Sequence, residues 1–422
     1  YQLENSDLYK EDDEELNQML GEAKVLRAYN YYELYTKFGD IPYTTKVLSI
    51  KESMSIARTD RATVIANMLA DLDEVINGNY LPTSYDADNK GRITRWAAMA
   101  IKAKIYLFEG NWTQVKNITS TIMTEGGFTL FGSYAGLFEI ANEYNSEVIL
   151  DAQYRPTSRE HQMMYAFLPP SLGGYSQLSP LQELVDSYIM LDGKTIKETG
   201  TSFDESNPYA NRDPRLKATV MYTGNSYTLA DGTEVVINCE KGEGKDGYGV
   251  GSDCSATGYY IKKYWDNTYR ATLYSGLNPI LIRYADILLM NAEALAELGE
   301  LDKMAWDATI KPIRDRAGFT LTSAVEFPEG ASKDKLIEIV RNERRSELAL
   351  EGHRHKDIIR WRIADDVLNG WCHGLKTNEV VGTDNGYVRV ENRAFNANRH
   401  YLWPIPQAER DLNGNLEQNP NW

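Results

Sequence analysis

Four side chains of types that bind metals or transfer protons stand at alternate positions in one short stretch. They are Glu351, His353, His355 and Asp357. On a helix, residues two apart point in different directions, so the histidines could share a metal only on a strand. The stretch SELALEGH indicates a helix that ends at Gly352, which leaves both histidines in a turn. Because no third histidine is nearby, we expect no metal site here.

The helix predicted before that turn carries regularly spaced charges. Its glutamates recur at four-residue intervals among arginines and apolar residues: Glu343, Glu347 and Glu351, with Arg341, Arg344 and Arg345. Paired carboxylates can act as acid and base, but neighbouring arginines would hold both pKa values down. Arginine–carboxylate pairs that are partly buried between helices are the better interpretation. We therefore predict a structural role for this segment.

Other catalytic and ion-binding patterns are incomplete. LDGKT at 191–195 ends like a phosphate-binding loop, but the position of its first glycine is Tyr188. DADNKGR begins like a calcium loop at Asp86, but its fifth and twelfth positions are Lys90 and Ala97. There is no Gly-x-Ser-x-Gly sequence, and the three cysteines form no zinc pattern. We predict a protein that is not an enzyme and uses no cofactor or metal.

Composition narrows the range of partners. The 422 residues are 42% apolar and 25% charged, with a net charge of −16. The negative net charge argues against nucleic acid as a ligand, because phosphate contacts need clustered Lys and Arg. It suits a protein that binds neutral ligands or that excludes polyanions. No apolar run spans a membrane, and the polar start is no signal peptide. Cys239 and Cys254 flank a Gly-rich loop, and a disulfide there would add about 3 kcal/mol in an oxidising compartment.

Three amphipathic helical segments resemble one another when they are aligned on a glycine. They are AKVLRAYNYYELYTKFGD at Gly39, RWAAMAIKAKIYLFEGNW at Gly110 and IRYADILLMNAEALAELGE at Gly299. Gly39 and Gly110 lie close to two 34-residue periods apart, and DRATVIANMLADLDEVI fits between them as a partner helix. We predict a mostly α fold with a tetratricopeptide-like helical repeat scaffold, in helical blocks at about 21–125 and 283–368.

The amino-acid composition changes between these two helical blocks. Residues 126–282 are rich in Gly, Pro, Tyr and Asn, with short strand-like pieces such as EVVINC and GYYIKKYW. Since a structureless loop of this length is improbable, we predict a folded insertion of loops and short strands that carries the variable surface. The part at 371–422 is predicted to be irregular.

Tyrosine is unusually frequent, with 28 Tyr against 10 Phe and 8 Trp. Aromatic residues concentrate at 248–279 and 154–176, among Gly, Ser, Asn and Thr. Flat rings stack on sugar faces or peptide side chains, although ordinary turn packing is an equal alternative. We predict a ligand site of five aromatic residues with three polar partners: Trp265, Tyr259, Tyr260, Tyr269 and Tyr175, with Asp266, Asn267 and Arg270.

Six segments, in this order, resemble the SusD/RagB family of outer-membrane nutrient-binding lipoproteins of Bacteroidetes. They are EAKVLRAYNYYELYTKFGDIP, LVDSYIMLDGKTI, NRDPRLKATV, PILIRYADILLMNAEALAELG, IVRNERRSELALEGHRHKDIIRW and YLWPIPQAERDLNGNLEQNPNW. The resemblance extends from the first helix to the last residue and implies one SusD-like domain over 1–422. It also implies that the charged run from Glu343 to Trp361 is scaffold.

The resemblance implies a cell-surface protein that binds oligosaccharides as the lid of a SusC-like TonB-dependent transporter. The helical repeats would face the transporter, and the insertion would face the ligand. A peptide-binding lid of the same family and a helical-repeat scaffold for protein partners remain alternatives. The implied location is the extracellular face of the outer membrane, through an N-terminal lipid anchor absent from this chain. Family members carry a lipidated cysteine several dozen residues before the first repeat helix. In this sequence that helix is predicted to begin near Gly21, with no such cysteine before it. We therefore expect that the amino terminus has been trimmed or is unusually short.

Overall fold

The computed structural model describes residues 13–268 and 272–422. Its contacts divide the chain into two compact units, each assembled from more than one segment. Unit 1 consists of the described residues up to 127 together with 355–368 and 394–422, and unit 2 consists of 128–354 and 369–393. The sequence-based division into one domain with an insertion stays a prediction.

Unit 1 begins with a group of packed helices. They are α1 (Glu14–Phe38), α2 (Ile50–Ser53), α3 (Arg61–Asn77), α4 (Arg95–Phe108) and α5 (Trp112–Glu125). Helix α1 packs on α3, and α4 packs on both α3 and α5. Ion pairs Lys24–Glu74 and Arg27–Asp71, each with an N–O distance of 2.6 Å, join α1 to α3. Helix α1 starts earlier than predicted, because Asp13 accepts a hydrogen bond from the Leu16 amide and caps the helix there.

The first part of unit 2 contains short elements. They are β1 (Val148–Asp151), α6 (Met163–Phe167), α7 (Gln182–Ser187), α8 (Pro214–Thr219), β2 (Val220–Met221), β3 (Ser226–Thr228), β4 (Glu234–Val236), β5 (Tyr260–Ile261) and β6 (Ile280–Arg283). The strands pair antiparallel as β1–β6, β2–β5 and β3–β4. This arrangement of short strands and loops is the one that the composition of 126–282 predicts.

A second helical group follows in unit 2. It consists of α9 (Tyr284–Leu298), α10 (Lys303–Ala308), α11 (Ile310–Ala317), α12 (Thr322–Val325) and α13 (Lys333–Glu347). Helices α10 and α11 are separated by a break at Thr309, where φ is −125° and ψ is −70°. The break has a local cause, because Pro312 offers no amide hydrogen and its ring would clash with the carbonyl four residues earlier. Helix α13 ends at Glu347 and so falls short of the predicted end at Gly352.

The last elements alternate between the two units. They are α14 (Arg354–Arg360), α15 (Ala364–Val367), β7 (Asn369–Lys376), β8 (Thr383–Asp384), β9 (Tyr387–Ala394) and α16 (Gln407–Leu412). The strands form a sheet in the order β7–β9–β8, and Asn385 and Gly386 make the positive-φ turn between β8 and β9. The prediction of irregular structure from 371 onward is therefore wrong for β7 and β9. His355 also lies on α14, not in the predicted turn.

Buried ion pairs hold the parts of unit 2 together. Glu347 pairs with Arg215 at 2.8 Å, with Arg283 at 2.6 Å and with Arg316. Glu351 pairs with Arg283 and Lys263, each at 2.7 Å. Burial alone would raise the pKa of the Glu351 carboxyl, but the two cations lower it to about 2. The predicted structural role of this charged segment agrees with these contacts.

Helices dominate the described residues and the strands are short, so the mostly α prediction is confirmed. The pairing of α1 with α3 and of α4 with α5 follows the order of the predicted repeat. Assignment of these pairs to tetratricopeptide-like repeats stays a prediction.

Candidate functional site

A cavity of about 590 Å³ opens in unit 2 beside the end of β7. Its lining brings together residues from α7, from three loops of the region before β6, and from the β7–β9 sheet and the loop after β7. The side chains that matter for recognition are Tyr209, Tyr259, Tyr387, Gln182, Asn207 and Lys376. Cavities of this size with aromatic walls and a few polar groups are typical small-ligand sites.

The tyrosines of the cavity are fixed by contacts with one another. The Tyr259 hydroxyl donates to Oε1 of Gln182 at 2.5 Å, and it lies 3.3 Å from the Tyr209 hydroxyl. The Tyr209 ring stacks on Tyr222 with a centroid distance of 4.0 Å and an interplanar angle of 16°. Burial raises the pKa of Tyr209 to about 12. These phenols therefore remain neutral hydrogen-bonding groups near neutral pH.

Gly258 allows β7 to approach the loop that carries Tyr259. Its φ is +76°, and a Cβ there would lie 1.7 Å from Cδ2 of Leu375. The Leu375 amide donates to the carbonyl of Thr257 at 2.7 Å, which ties the strand to the same loop. A residue with a side chain would force these segments apart, so glycine is required for the cavity to close on this side.

The rim of the cavity adds polar groups whose charges are largely balanced. Lys376 pairs with Glu205 at 2.8 Å, and its Nζ lies 5.5 Å from the centroid of the Tyr387 ring. Hydrogen bonding to Glu205 raises the pKa of Lys376, which keeps the pair ionised. Cys239 also lines the cavity, but burial raises the pKa of its thiol, so it is a poor nucleophile. The arrangement is suited to hydrogen bonding and ring stacking.

The structure separates the ligand residues that the sequence predicts. Tyr259, Tyr260 and Asp266 are all buried, and of these three Tyr259 alone borders the cavity. The Tyr260 hydroxyl donates to the carbonyl of Asp246 at 2.5 Å, and Ser275 Oγ donates to Asp266 at the same distance. Tyr260 and Asp266, which the sequence predicts as ligand residues, therefore have their hydrogen bonds satisfied by groups of neighbouring loops.

The other predicted residues that the structure describes do not line this cavity. Trp265 is half-buried against Tyr227, and its Nε1 donates to the carbonyl of Thr228 at 2.8 Å. Tyr175 is 48% exposed and stacks on Tyr165, and Asn267 is exposed. Tyr269 and Arg270 lie outside the described residues.

Sequence reasoning did not select Tyr209, Tyr387 and Gln182. Tyr209 stands just before NRDPRLKATV, a segment that carries part of the family resemblance. Tyr387 follows the Asn-Gly pair that marks a two-residue hairpin, which also would have predicted β9. Their proximity to Tyr259 depends on long-range packing, so no local pattern joins the three.

The residues first considered for metal binding have other contacts. Within 13–268 and 272–422, no three His, Cys, Asp or Glu side chains are placed to hold a metal ion. In unit 1 the His355 ring packs on Trp403 with a centroid distance of 5.8 Å. Cys239 and Cys254 are free, and the Cys254 thiol donates to the carbonyl of Lys245 at 3.2 Å. The disulfide considered for this pair is therefore not formed.

The chain belongs to the SusD family. Residues 137–422 match the model described as the SusD family, and residues 2–107 match a model described as starch-binding associating with outer membrane. The prediction that the protein is not an enzyme is confirmed by membership of this non-catalytic family. Among the described helices, none combines the length and the apolar character needed to cross a membrane.

Individual relatives agree with this assignment. SusD-like protein P25 of Formosa agariphila is 28% identical over 83% of this chain; the alignment covers 65% of that relative, which is less than two thirds. A crystal structure of a SusD-like carbohydrate binding protein from Bacteroides fragilis matches 96% of this chain and 81% of that chain, with a TM-score of 0.85 and 30% identity. A second SusD-like protein of that species matches 97% of this chain and 81% of that chain, with a TM-score of 0.82 and 28% identity.

Proposed function

We propose that this protein binds oligosaccharides at the bacterial cell surface through the tyrosine-lined cavity of unit 2. The observation that carries the proposal is the grouping of Tyr209, Tyr259 and Tyr387 around a cavity of about 590 Å³ in a chain of the SusD family. The related protein from B. fragilis is described as carbohydrate binding, which supports the same ligand class.

The chemistry of the cavity supports sugar binding. Tyrosine rings offer flat faces to the apolar face of a sugar, and their hydroxyls bond at the ring edge. Side-chain amides of Gln182 and Asn207 donate and accept hydrogen bonds, as vicinal sugar hydroxyls do. Because these groups are neutral, binding needs little desolvation of charge. Trp265, Tyr175 and Asn267 remain proposed contacts for parts of the ligand outside the cavity.

The proposal is tested by titration calorimetry with neutral oligosaccharides of several linkages. Tyr209→Ala and Tyr387→Ala should each weaken binding by about tenfold or more, since a ring stacked on a sugar face is lost. Tyr274→Ala is the matched control, because Tyr274 is 40% exposed and does not line the cavity. Equal losses in all three variants would contradict the proposed site, and absence of glycan binding would contradict the function.

The partner in this proposal is a SusC-like TonB-dependent transporter of the outer membrane, on which the protein acts as a lipid-anchored lid. Family membership and the outer-membrane description of the model matched by 2–107 support it. Detergent-solubilised outer membranes should yield a transporter barrel when the full-length protein is purified through a tag. Recovery of the protein without any barrel would argue against the lid.

A peptide-binding lid of the same family is the alternative that the same titration tests. The exposed carboxylates of Glu205 and Glu240 at the cavity are groups that a peptide amine could approach. Heat from a mixed peptide pool, without heat from any oligosaccharide, would move the protein to that class.

A further inference from the structure

A second cavity, of about 630 Å³, lies wholly within unit 1 and is lined by four arginines. They are Arg58, Arg61, Arg360 and Arg362, and the acidic side chains of the lining are Asp40 and Glu417. Four arginines around one cavity contrast with the net charge of −16 of the whole chain, so we ask which groups compensate each positive charge.

Two of these arginines are neutralised by carboxylates. Arg61 pairs with Glu109 at 2.5 Å, and Arg360 pairs with Asp357 at 2.9 Å. Asp40 is also engaged, because its carboxylate accepts the backbone amide of Arg61 at 2.8 Å. These contacts account for the charges on one part of the lining.

Arg58 is held differently, by neutral acceptors. It donates to the backbone carbonyls of Phe38, Asp40 and Glu417 at 2.8–3.0 Å, and to Oδ1 of Asn419 at 2.6 Å. These bonds fix the guanidinium in place without forming an ion pair. Its positive charge is offset only at longer range, by the carboxylates of Asp40 and Glu417.

Arg362 is the least compensated cation of the cavity. Its guanidinium lies 3.7 Å from the centroid of the Tyr401 ring, and within the described residues it forms no ion pair. Its φ is +57°, a left-handed conformation that is unfavourable for a residue with a side chain. Tyr401 is itself anchored, because its hydroxyl lies 3.0 Å from Asp365 Oδ1. A charged side chain is thus held on an aromatic ring at the cavity.

A guanidinium held on an aromatic ring is suited to bind an anionic group that is attached to a ring. Arginine binds carboxylate and sulfate oxygens through two parallel N–H donors, and stacking on Tyr401 leaves its donor edge available. Tyr401 and Phe108 add apolar faces to the same lining. An anionic substituent on a ring with an apolar face would satisfy both features.

We propose that the arginine cavity of unit 1 binds the acidic substituent, a carboxylate or a sulfate ester, of a sugar residue. The inference rests on the proposed function, since it narrows the ligand class to oligosaccharides that carry anionic residues. In this scheme Arg362 supplies the paired hydrogen bonds, Arg58 adds positive potential, and the aromatic side chains contact the sugar ring.

The test compares three oligosaccharides of equal length by calorimetry at low and moderate salt. They are a galacturonate oligomer, a sulfated galactose oligomer and a neutral galactose oligomer. At least one acidic oligomer should bind about tenfold or more tightly than the neutral one, and Arg362→Gln should abolish that difference while leaving neutral binding unchanged. Arg393→Gln, the same substitution at a solvent-accessible ion pair with Glu391 outside both cavities, should change neither.

The outcomes separate this inference from the proposed function. The acidic oligomer whose binding is lost in Arg362→Gln identifies the substituent as carboxylate or sulfate. Neutral binding with no gain from either acidic group overturns the anion site and leaves the proposed function standing. Binding of free galacturonate or sulfate that depends on Arg362, without binding of the neutral oligomer, supports the anion site while the tyrosine cavity fails as a glycan site.

Discussion

Two adjacent tyrosines where β5 begins, Tyr259 and Tyr260, show how single residues of one type differ in their contacts. The Tyr259 hydroxyl donates to Gln182, a side chain of the cavity lining, whereas the Tyr260 hydroxyl donates to the backbone carbonyl of Asp246. Successive residues of an extended chain point to opposite sides, so neighbours of identical type acquire different roles. Both rings are buried, so the hydrogen-bond partners, and not residue type or burial, distinguish the two residues here.

Trp265 gives a prediction at this scale. Since its indole packs on Tyr227 and bonds to Thr228, Trp265→Ala should lower the free energy of unfolding by about 2 kcal/mol. Trp265→Phe keeps most of the ring and should lose about 1 kcal/mol for the hydrogen bond. Denaturant unfolding of both variants measures the difference. An unchanged stability with lost glycan affinity would instead make Trp265 an exposed binding residue.

Glu347 gives a second residue-scale prediction. Glu347→Gln removes the carboxylate that Arg215, Arg283 and Arg316 share and leaves the buried network one negative charge short, so it should lower the free energy of unfolding by about 3–5 kcal/mol. Glu338→Gln on the same helix is the control, because its pair with Lys335 is exposed. A similarly small effect of both substitutions, measured by denaturant unfolding, would show that the buried network contributes little.

At the scale of elements, close approach of β7 to the loop at 257–258 shapes the cavity. In Gly258→Ala the new side chain would stand at a positive φ and would clash with Leu375. The substitution should therefore lower the free energy of unfolding by about 2 kcal/mol or more and weaken glycan binding. Gly224→Ala is the matched control, because φ is +87° there but no atom lies within 4 Å of the added Cβ. It should cost about 1 kcal/mol and leave affinity unchanged. Equal costs would mean that the close contact is readily relieved.

The β7–β9 sheet also carries a pH-dependent contact with α7. His373 Nδ1 lies 2.8 Å from Glu183, and Nε2 lies 3.1 Å from Asp384. Burial disfavours the imidazolium, but the hydrogen bonds with Asp384 and Glu183 outweigh it and raise the pKa of His373 above 6.5. A raised folded-state pKa means that this stabilisation is complete below pH 6.5 and is lost as pH rises through the folded pKa.

Titration of His373 by NMR should therefore give a pKa above 6.5, and amide exchange in β7 should accelerate at higher pH. Asp384→Asn removes one carboxylate and should lower that pKa. A His373 pKa at or below 6.5 in the unmodified protein would contradict the bridging contact. His373→Gln should remove the pH dependence of exchange in β7.

At the scale of the whole molecule, the acidic surface predicts how binding responds to salt. The net charge of −16 neither attracts nor repels neutral oligosaccharides at long range. Their affinity should therefore change less than twofold between low and high ionic strength. Calorimetry at two salt concentrations measures this. A loss of tenfold for a neutral ligand would show that charged groups contact it directly.

The sequence by itself determined the helices of both blocks, the absence of a complete catalytic motif and the family. These properties follow from short-range patterns, such as apolar periodicity and the glycines that end helices at Gly39 and Gly299. Local rules also locate the helix break before Pro312 and the hairpin at Asn385–Gly386, although the predicted elements omitted both.

Only the tertiary structure decided which side chains meet. One cavity is lined by three tyrosines that are far apart in the chain, Tyr209, Tyr259 and Tyr387. Two other predicted ligand residues, Tyr260 and Asp266, are buried and do not line it. The four arginines of the second cavity come from two distant segments of unit 1. Such groupings depend on how loops and strands pack over long sequence separations, where burial and hydrogen-bond satisfaction outweigh local preference. A periodic pattern specifies an element, but a site requires the positions of several elements together.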